Sequence, residues 1–283
     1  MLLRAFAKIN LDLRILGKRP DGYHEIRTVF QTIDWFDEIR IVPAARFDFR
    51  ASQGPQDETN LVVRAVRAFE KCTKLNAVVS IRLTKNVPSG AGLGGGSADA
   101  AVTFLGLERV FGCDIAERDR VDALRSLGSD IPFFAVGGRA TGSGRGDEVA
   151  PLEDDGGYWL VLIHPGVSIA TAEAYSWLTI GGKPSSIEGF RTDFVSDPEG
   201  GKAVNDFEQP VFNRYPKLKE IRDELVRIGA FRAALSGSGS VLFGQFHSET
   251  LARQAAALME RDYSVRVARP LSRSEYFSRI MAE

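Results

Sequence analysis

The sequence predicts an α+β protein, and three patterns of side chains support this fold class. Residues 5–15 alternate between apolar and other side chains, which is typical of a β-strand. Residues 60–72 and 97–111 instead carry apolar side chains at helical spacing. Further along, a helical pattern over 250–261 precedes a strand pattern over 264–267. Helices and strands therefore occur in both halves of the chain, which predicts a mixed fold.

The first strand is expected to be half-buried, with its apolar face against the core. Lys8 and Asn10 belong to the other face, two residues apart, so their side chains would project together. A turn follows over 18–22, where the order Pro-Asp-Gly favours a tight reversal. Beyond this turn, the pattern predicts strands over 26–42, 46–50 and 78–88. It also predicts helices over 60–72, 97–111 and 116–127. Thr59 or Asn60 is expected to cap the first of these helices.

The acidic, glycine-containing stretch over 147–157 is the best candidate for a domain boundary. A chain of 283 residues corresponds to one large or two ordinary domains. We therefore expect an N-terminal domain over residues 1–152 and a C-terminal domain over residues 153–283. The pattern of the second domain predicts strands over 158–166, 240–246 and 264–267 and helices near 171–178, 216–229 and 250–261.

Charge and cysteine content exclude several classes of protein. Thirty-six basic and 37 acidic side chains give a net charge of −1, which argues against a protein that coats nucleic acid. Two cysteines cannot build a disulfide framework, so we expect a reducing compartment, the cytoplasm. The sequence has no apolar run of the roughly 18 residues that a membrane helix needs. Lys8 and Asp12 lie where the apolar core of a signal peptide would be, so such a leader is not expected.

A glycine-rich segment over 88–97 carries the strongest functional signal. Five of the seven residues from 90 to 96 are glycine, and the segment lies between a predicted strand and a predicted helix. Glycine lets backbone N–H groups approach a ligand closely, and a helix N-terminus adds unsatisfied donors and a partial positive charge. The segment therefore predicts a phosphate-binding loop, with a tight structural connection as the alternative. We expect Ser97 to cap the helix and Asp99 to lie in its first turn.

The surroundings of this loop narrow its type. No lysine follows the glycines, so the P-loop pattern GxxxxGK[ST] is absent. Gly90, Gly92 and Gly95 match GxGxxG, but the strand before them alternates and no acidic residue follows at the spacing of a dinucleotide fold. Two further glycine segments stay open. Segment 142–146 is either functional or a plain surface loop, and segment 235–240 is either a second backbone contact to phosphate or a turn.

Five segments together resemble the GHMP kinase superfamily. They are AKINLDLRILGKRPDGYHEI over 7–26, PSGAGLGGGSADAA over 88–101, LGSDIPFF over 127–134, NDFE over 205–208 and LSGSGS over 235–240. Their order is that of the superfamily, and the resemblance extends from residue 5 to about residue 246. The first segment resembles the branch that acts on a cytidine diphosphate conjugate. The resemblance implies two α+β domains, the first of the ribosomal protein S5 domain 2-like type and the second ferredoxin-like.

The resemblance implies transfer of the γ-phosphoryl group of ATP, with Mg²⁺, to an acceptor alcohol. The acceptor would be the erythritol 2-hydroxyl of a small-molecule cytidine diphosphate conjugate, on the non-mevalonate route to isoprenoids. Asp130 matches the catalytic aspartate and would accept the hydroxyl proton, with capping of the short helix that follows as its alternative role. Lys8 matches the active-site lysine and would stabilise charge on the transferred phosphoryl group. Without the resemblance, a solvated strand lysine would be the commoner interpretation.

The resemblance also assigns the residues that bind the nucleotide. They would be Pro88, Gly90, Ala91, Gly92, Leu93, Gly94, Gly95, Gly96, Ser97 and Ala98. Ser97 would also contact Mg²⁺, and helix capping is an alternative that does not exclude this role. Ala98 stands where many members carry serine, so no contact from that side chain to phosphate is expected.

Five residues would bind the acceptor. Tyr23 and His24 match the pair that recognises cytidine, through stacking on the base and hydrogen bonding to its edge. Tyr175 matches a second stacking aromatic residue, although a tyrosine at helical spacing is more often packed in a core. Thr171 matches a threonine that contacts substrate. Asn10 would form a hydrogen bond to substrate, with simple exposure to solvent as the alternative.

Two other functions stay open at the level of the sequence. One is a related kinase for homoserine, mevalonate or a sugar, whose acceptor has no base to stack on Tyr23 and Tyr175. The other is a regulator that binds ATP without transferring phosphate, and the presence of Lys8 and Asp130 argues against it. No nucleic-acid or membrane partner is expected, and the protein would be a monomer or a homodimer.

Overall fold

Two β-sheets organise the structure, one in each half of the chain. The computed structural model describes residues 1–178 and 204–282. Within these residues, a seven-stranded sheet is built mainly from residues 2–151 and a four-stranded sheet from residues 159–268. Helices pack on both sheets, so the predicted α+β fold class is confirmed.

The seven-stranded sheet is mostly antiparallel. Its strands are β1 (Leu2–Lys18), β2 (His24–Pro43), β3 (Asp48–Ala51), β4 (Val79–Thr84), β5 (Arg139–Ser143), β6 (Glu148–Pro151) and β11 (Met281–Ala282). The order along its main path is β11-β1-β2-β4-β3, while β5 pairs with β2 and β6 pairs with β5. Only β3 and β4 run parallel within the part of the chain described here. The predicted long strands at the start are confirmed, but three register shifts interrupt the pairing of β1 with β2.

The helices of the first half begin close to where the pattern predicts. They are α1 (Leu61–Thr73), α2 (Gly95–Phe111), α3 (Glu117–Arg125) and a short 3₁₀ helix (Ile131–Ala135). Asn60 caps α1, since its side chain accepts a hydrogen bond from the N–H of Val62. The expected cap at Ser97 is wrong: α2 begins two residues earlier, after Gly94, whose left-handed backbone starts the helix without a side-chain cap. Asp99 consequently lies beyond the first turn, where it is buried.

The four-stranded sheet is antiparallel throughout. Its strands are β7 (Trp159–His164), β8 (Arg232–Leu235), β9 (Leu242–Phe246) and β10 (Ser264–Ala268), in the order β10-β7-β9-β8. Its helices are α4 (Thr171–Ser176), α5 (Glu208–Arg214), α6 (Pro216–Arg227) and α7 (Glu249–Met259). This succession of one strand, helices, two strands, a helix and a strand is the ferredoxin-like arrangement that was expected.

Residues 271–282 return to the first sheet. Helix α8 (Arg273–Ile280) places Tyr276 in the first core, where its hydroxyl donates to the carbonyl oxygen of Phe134 at 2.6 Å. Strand β11 then pairs with β1. The division of the chain between residues 152 and 153 stays a prediction, and this return segment belongs by its packing with the first sheet. None of the helices in the described ranges is both long and apolar enough to span a membrane.

Both faces of β1 are buried, which corrects the expectation of a half-buried strand. Its apolar face packs in a cluster with the second sheet that includes Ala7, Ile9, Leu11, Leu160, Leu162 and Phe243. The glycine-rich loop covers the other face, where the N–H of Lys8 donates to the carbonyl oxygen of Leu93 at 2.9 Å. Lys8 and Asn10 are therefore buried, because elements distant in the sequence fold over them.

Candidate active site

A cavity of about 330 Å³ lies where β1, the glycine-rich loop and the second sheet meet. This volume is within the range of small-molecule sites. The predicted residues that line it are Lys8, Asn10, Pro88, Gly90, Ala91, Gly92, Gly94, Gly95, Gly96, Ser97, Asp130, Thr171 and Tyr175. Leu93 and Ala98 are instead buried in the two cores beside the loop. Tyr23 and His24 reach the cavity only through neighbouring side chains.

Lys8 and Asp130 form an ion pair at this cavity. The Nζ atom of Lys8 lies 3.4 Å from Oδ2 of Asp130, and the Lys8 side chain is 4% exposed whereas that of Asp130 is 35% exposed. The same Nζ donates to Oδ1 of Asn10 at 2.5 Å and to the carbonyl oxygen of Gly92 at 3.2 Å. Lys8 is thus a buried, fully partnered cation, and the solvated strand lysine is not what the structure contains.

Asp130 immediately precedes the 3₁₀ helix, but its side chain makes no capping hydrogen bond there. The alternative capping role is therefore absent from the structure. The carboxylate instead faces the cavity beside Lys8. A half-exposed carboxylate next to a buried cation is available to accept a proton from a bound ligand.

Asn10 is engaged on both sides of its amide. Its Oδ1 accepts from Lys8, and its Nδ2 donates to Oγ1 of Thr28 at 2.7 Å. Thr28 in turn donates to the carbonyl oxygen of Asp12 at 2.6 Å. Asn10 is therefore not simply exposed, and these contacts fix the position of the Lys8 ammonium group. No pattern in the sequence points to Thr28, because its approach to Asn10 depends on the shifted register of β1 against β2.

The glycine-rich loop is fixed by a second glycine segment. A Cβ atom at Gly92 would lie 1.9 Å from the carbonyl oxygen of Ser236, and Gly92 has a φ of +79°. The Ser236 hydroxyl donates to the carbonyl oxygen of Gly92 at 2.9 Å. Close by, the hydroxyls of Ser238 and Thr171 lie 3.3 Å apart at the cavity. Segment 235–240 thus makes direct contact with the first loop, and only glycine at position 92 allows this approach.

Of the aromatic residues predicted for base recognition, Tyr175 lines the cavity and His24 packs against Tyr175. The rings of His24 and Tyr175 stack, with centroids 4.7 Å apart and an angle of 20°. Tyr175 also packs edge-on against Phe207, so it combines core packing with a place in the cavity lining. Partial burial and the charge of Lys18 lower the pKa of His24, so its ring is neutral at pH 7 and offers one donor and one acceptor. Burial, together with the charge of Asp130, raises the pKa of Tyr175.

Arg145 is a lining residue that sequence reasoning missed. Segment 142–146 contains the end of β5 and most of the turn that joins β5 to β6, and Arg145 lies in this turn between two glycines. Its guanidinium carbon is 4.7 Å from the centroid of the Tyr23 ring, which is itself largely exposed. The signal in the sequence was an arginine within a glycine turn, but only the pairing of β5 with β2 brings this turn to the cavity.

The residues present fit Mg²⁺ held mainly by a nucleotide. Within the described ranges, no group of three or more His, Cys, Asp or Glu side chains is placed to hold a metal ion. Mg²⁺ commonly binds phosphate oxygens and water with only one or two protein oxygens. Ser97 supplies such an oxygen, since it lines the cavity and its hydroxyl forms no hydrogen bond to any described residue.

Comparisons with known proteins agree on one family. The GHMP kinases N terminal domain matches residues 60–138, and the GHMP kinases C terminal domain matches residues 197–264. The 4-diphosphocytidyl-2-C-methyl-D-erythritol kinase of Solibacter usitatus (strain Ellin6076) is 42% identical over 97% of this chain and 90% of that protein. The protein of the same name from Prosthecochloris aestuarii (strain DSM 271 / SK 413) is 38% identical over 93% of this chain and 95% of its own length.

Solved structures lead to the same result. A crystal structure of 4-(cytidine 5'-diphospho)-2C-methyl-D-erythritol kinase superposes with a TM-score of 0.83 at 31% identity, over 95% of this chain and 99% of that one. Homoserine kinase from Cytophaga hutchinsonii superposes with a TM-score of 0.74 at 16% identity, over 96% of this chain and 94% of its own, and so shares the fold. The chain therefore belongs to the GHMP kinases, within the family of 4-diphosphocytidyl-2-C-methyl-D-erythritol kinases.

Proposed function

We propose that this chain phosphorylates the 2-hydroxyl of 4-diphosphocytidyl-2-C-methyl-D-erythritol with ATP, as a step of non-mevalonate isoprenoid biosynthesis. Membership of the GHMP kinases implies the use of ATP. The observation that carries the proposal is the Lys8–Asp130 ion pair, which lies in one cavity with a glycine loop at a helix N-terminus. Two free cysteines, Cys72 and Cys113, support action in the reducing cytoplasm.

The glycine loop supplies donors for the phosphates of ATP. The N–H groups at the start of α2 have no helical acceptor, and the 17-residue helix places its partial positive charge at the same point. Gly94 has a φ of +67°, and a Cβ there would lie 3.1 Å from Cε of Lys8, so the backbone and the ammonium group converge. Phosphoryl transfer depends mainly on such positioning and charge neutralisation. Mg²⁺, when bound with the nucleotide, neutralises phosphate charge, and Ser97 is the residue that would hold it.

Asp130 acts on the acceptor hydroxyl in this mechanism. Its carboxylate accepts the hydroxyl proton as the acceptor oxygen bonds to the γ-phosphorus and the bond from that phosphorus to ADP breaks. Lys8 offsets negative charge on the phosphoryl oxygens in transit, because Asn10 and Gly92 hold its ammonium group beside Asp130. Asn10 therefore acts as a positioning residue for Lys8 in this mechanism, in place of the direct hydrogen bond to substrate that the resemblance implies.

The aromatic end of the cavity suits the cytosine ring. His24 and Tyr175 present stacked rings, and the ring of Tyr23 lies against the guanidinium group of Arg145. Planar rings bind a base by stacking, and a neutral histidine can donate to and accept from its edge. Thr171, at the start of α4, faces the same cavity and supplies a further hydroxyl.

The experiment that tests the proposal measures ADP release with ATP and Mg²⁺. The cytidine conjugate, mevalonate, homoserine and galactose are offered separately to the purified protein. We expect release with the cytidine conjugate alone. Release with another acceptor would keep the fold family and discard the cytidine site, whereas ATP binding without release for all four acceptors would indicate a regulator. Asp130→Asn should retain nucleotide binding and lower kcat by about 10²–10⁴-fold, typical of losing a positioned acid–base group.

A further inference from the structure

Arg145 is the cavity residue for which the mechanism above has no use. Among the described lining residues, the cationic side chains are Lys8 and Arg145. The ammonium group of Lys8 is held by Asp130, Asn10 and Gly92, and the mechanism above assigns it to the transferred phosphoryl group. Arg145 therefore represents the cationic charge of the cavity that remains available to a ligand.

The turn that carries Arg145 is held firmly in place. Gly144 and Gly146 have φ values of +67° and +100°, which few other residues adopt. The N–H of Ile26 donates to the carbonyl oxygen of Gly144 at 2.8 Å, which ties the turn to β2. A Cβ atom at Gly146 would lie 3.8 Å from Oδ1 of Asp130, so the turn borders the reacting carboxylate. The position of Arg145 at the cavity is thus fixed by its backbone.

The guanidinium group of Arg145 has one ion-pair partner among the described residues, Asp147, and shares it with Arg125. Its Nη2 donates to Oδ2 of Asp147 at 2.8 Å, and Nε of Arg125 lies 3.2 Å from the same oxygen. One carboxylate is therefore shared by two guanidinium groups. No other hydrogen bond from the guanidinium of Arg145 to a described residue exists, so most of its donors are free. Its contact with Tyr23 orients it next to the aromatic end of the cavity.

We propose that Arg145 binds the diphosphate group of the acceptor and so selects an acceptor in which a diphosphate joins the base to the polyol. The inference rests on the proposed function, since it deepens the description of the same site. A guanidinium group matches phosphate oxygens with two parallel hydrogen bonds, and a pair with phosphate is stronger than one between neutral groups. Arg145 contacts Tyr23 on the base side, and the next residue of its turn, Gly146, lies beside Asp130 on the side of the reacting hydroxyl. The diphosphate of such an acceptor belongs between these two sides.

Arg145→Gln tests this role through two readouts. We expect KM for the cytidine conjugate to rise at least about tenfold, while KM for ATP changes by less than about twofold, as for the loss of one charge-assisted contact. Calorimetry then compares CDP with cytidine, which needs no turnover. The native protein should bind CDP at least about tenfold more tightly than cytidine, and Arg145→Gln should bind the two about equally. An unchanged preference for CDP in the variant overturns the inference.

Matched variants separate this role from a structural one. Asp147→Asn removes the ion-pair partner and keeps the cation, so it should retain the preference for CDP; a loss equal to that of Arg145→Gln would show that Arg145 acts only by holding the turn. Arg145→Lys should retain part of the preference for CDP. Arg253→Gln, which changes an exposed arginine on α7, should leave that preference as it is in the native protein. Failure of the proposed function would appear differently, as no ADP release by the native protein with the cytidine conjugate.

Discussion

Two buried lysines lie beside the start of α2, and their partner carboxylates differ in exposure to solvent. Lys8 lies next to Gly94 and Lys85 next to Gly95, with side chains 4% and 7% exposed. The carboxylate that pairs with Lys8, on Asp130, is 35% exposed and faces the cavity. The difference between the two lysines therefore lies in their partners and not in their own burial.

Lys85 is enclosed by two carboxylates that solvent does not reach. It pairs with Asp37 of β2 and, at 2.7 Å, with Asp99 of α2. Asp37 also accepts hydrogen bonds from the N–H groups of Asn86 and Val87, at 2.5 and 2.8 Å. The group joins a strand, a helix and the segment that leads into the glycine loop. Burial of a lysine thus indicates function only where its partner carboxylate opens onto a cavity.

The first prediction concerns the lysine at the cavity. Lys8→Met should lower kcat by about 10²–10⁴-fold, because the transferred phosphoryl group loses its fixed cation. The free energy of unfolding should fall by about 1–3 kcal/mol, since Asp130 can turn to solvent and the buried Oδ1 of Asn10 is the group that loses its donor. Steady-state kinetics and urea unfolding of the same preparation check both parts. Retained turnover, or a loss of stability as large as that expected for Lys85→Met, would show that Lys8 has a structural role and not a catalytic one.

Lys85→Met should have the opposite profile. It leaves two buried acidic side chains without their cation, which should lower the free energy of unfolding by about 3–5 kcal/mol. The double variant Lys85→Met/Asp99→Asn should recover part of this loss, because Asp37 then has no second acidic group beside it. Urea unfolding of both variants is the measurement. If Lys85→Met were as stable as the native protein, the enclosed group would have no role in holding the loop.

Two glycines of segment 88–97 allow a similar comparison between a tightly packed position and an open one. Gly92→Ala should lower the free energy of unfolding by about 2 kcal/mol or more, because a Cβ there would overlap the carbonyl oxygen of Ser236 at a positive φ. Gly96→Ala is the matched control, since its nearest atom would be Leu61 Cδ1 at 3.6 Å and its φ is not positive. Its stability should change by less than about 1 kcal/mol. Equal losses would mean that the contact of the two glycine segments contributes little.

The smallest expected effect is a dependence of stability on pH. Burial raises the pKa of Asp99, and the neighbouring charge of Asp37 adds to this, although Lys85 opposes it. The folded state therefore holds this proton more tightly than the unfolded state, so stability falls as pH rises above the ordinary carboxyl pKa of about 4. The raised pKa of Lys85 has its effect only in the alkaline range.

Asp99→Asn isolates this contribution. Between pH 5 and pH 8, the native protein should lose unfolding free energy relative to the variant, at a rate of up to about 1.4 kcal/mol per pH unit. Urea unfolding at several pH values measures the difference. Parallel stability curves for the two proteins would show that Asp99 does not change its protonation in this range.

The sequence was most informative where local pattern decides the structure. Alternation placed Lys8 and Asn10 on one face of β1, and glycine content located the loop before α2. It failed where distant segments decide. The pattern predicts Ser97 as the cap because glycines are typical of loops, whereas Gly95 and Gly96 already belong to the helix.

Charge partners were harder to predict than elements. Lys85 pairs with Asp37, which lies 48 residues away along the chain. Arg145 contacts Tyr23 because segment 142–146 belongs to a β-hairpin, whereas its glycines are also typical of a plain surface loop. Local propensity contains no information about such pairs, since they depend on strand order and on register shifts. Family resemblance located Asp130, but only the structure places its carboxylate 3.4 Å from Lys8.

The return of residues 271–282 to the first sheet has a consequence for synthesis. Strand β11 covers an edge of β1, and Tyr276 fills the core beside Gly137, where a Cβ atom would lie 2.2 Å from its ring. A ribosome makes β1 first and β11 almost 280 residues later. Until residues 271–282 are synthesised, β1 therefore has an unpaired edge and the first core lacks the Tyr276 side chain. Closure of this half of the enzyme therefore needs α8 and β11 as well as the second sheet, which covers the apolar face of β1.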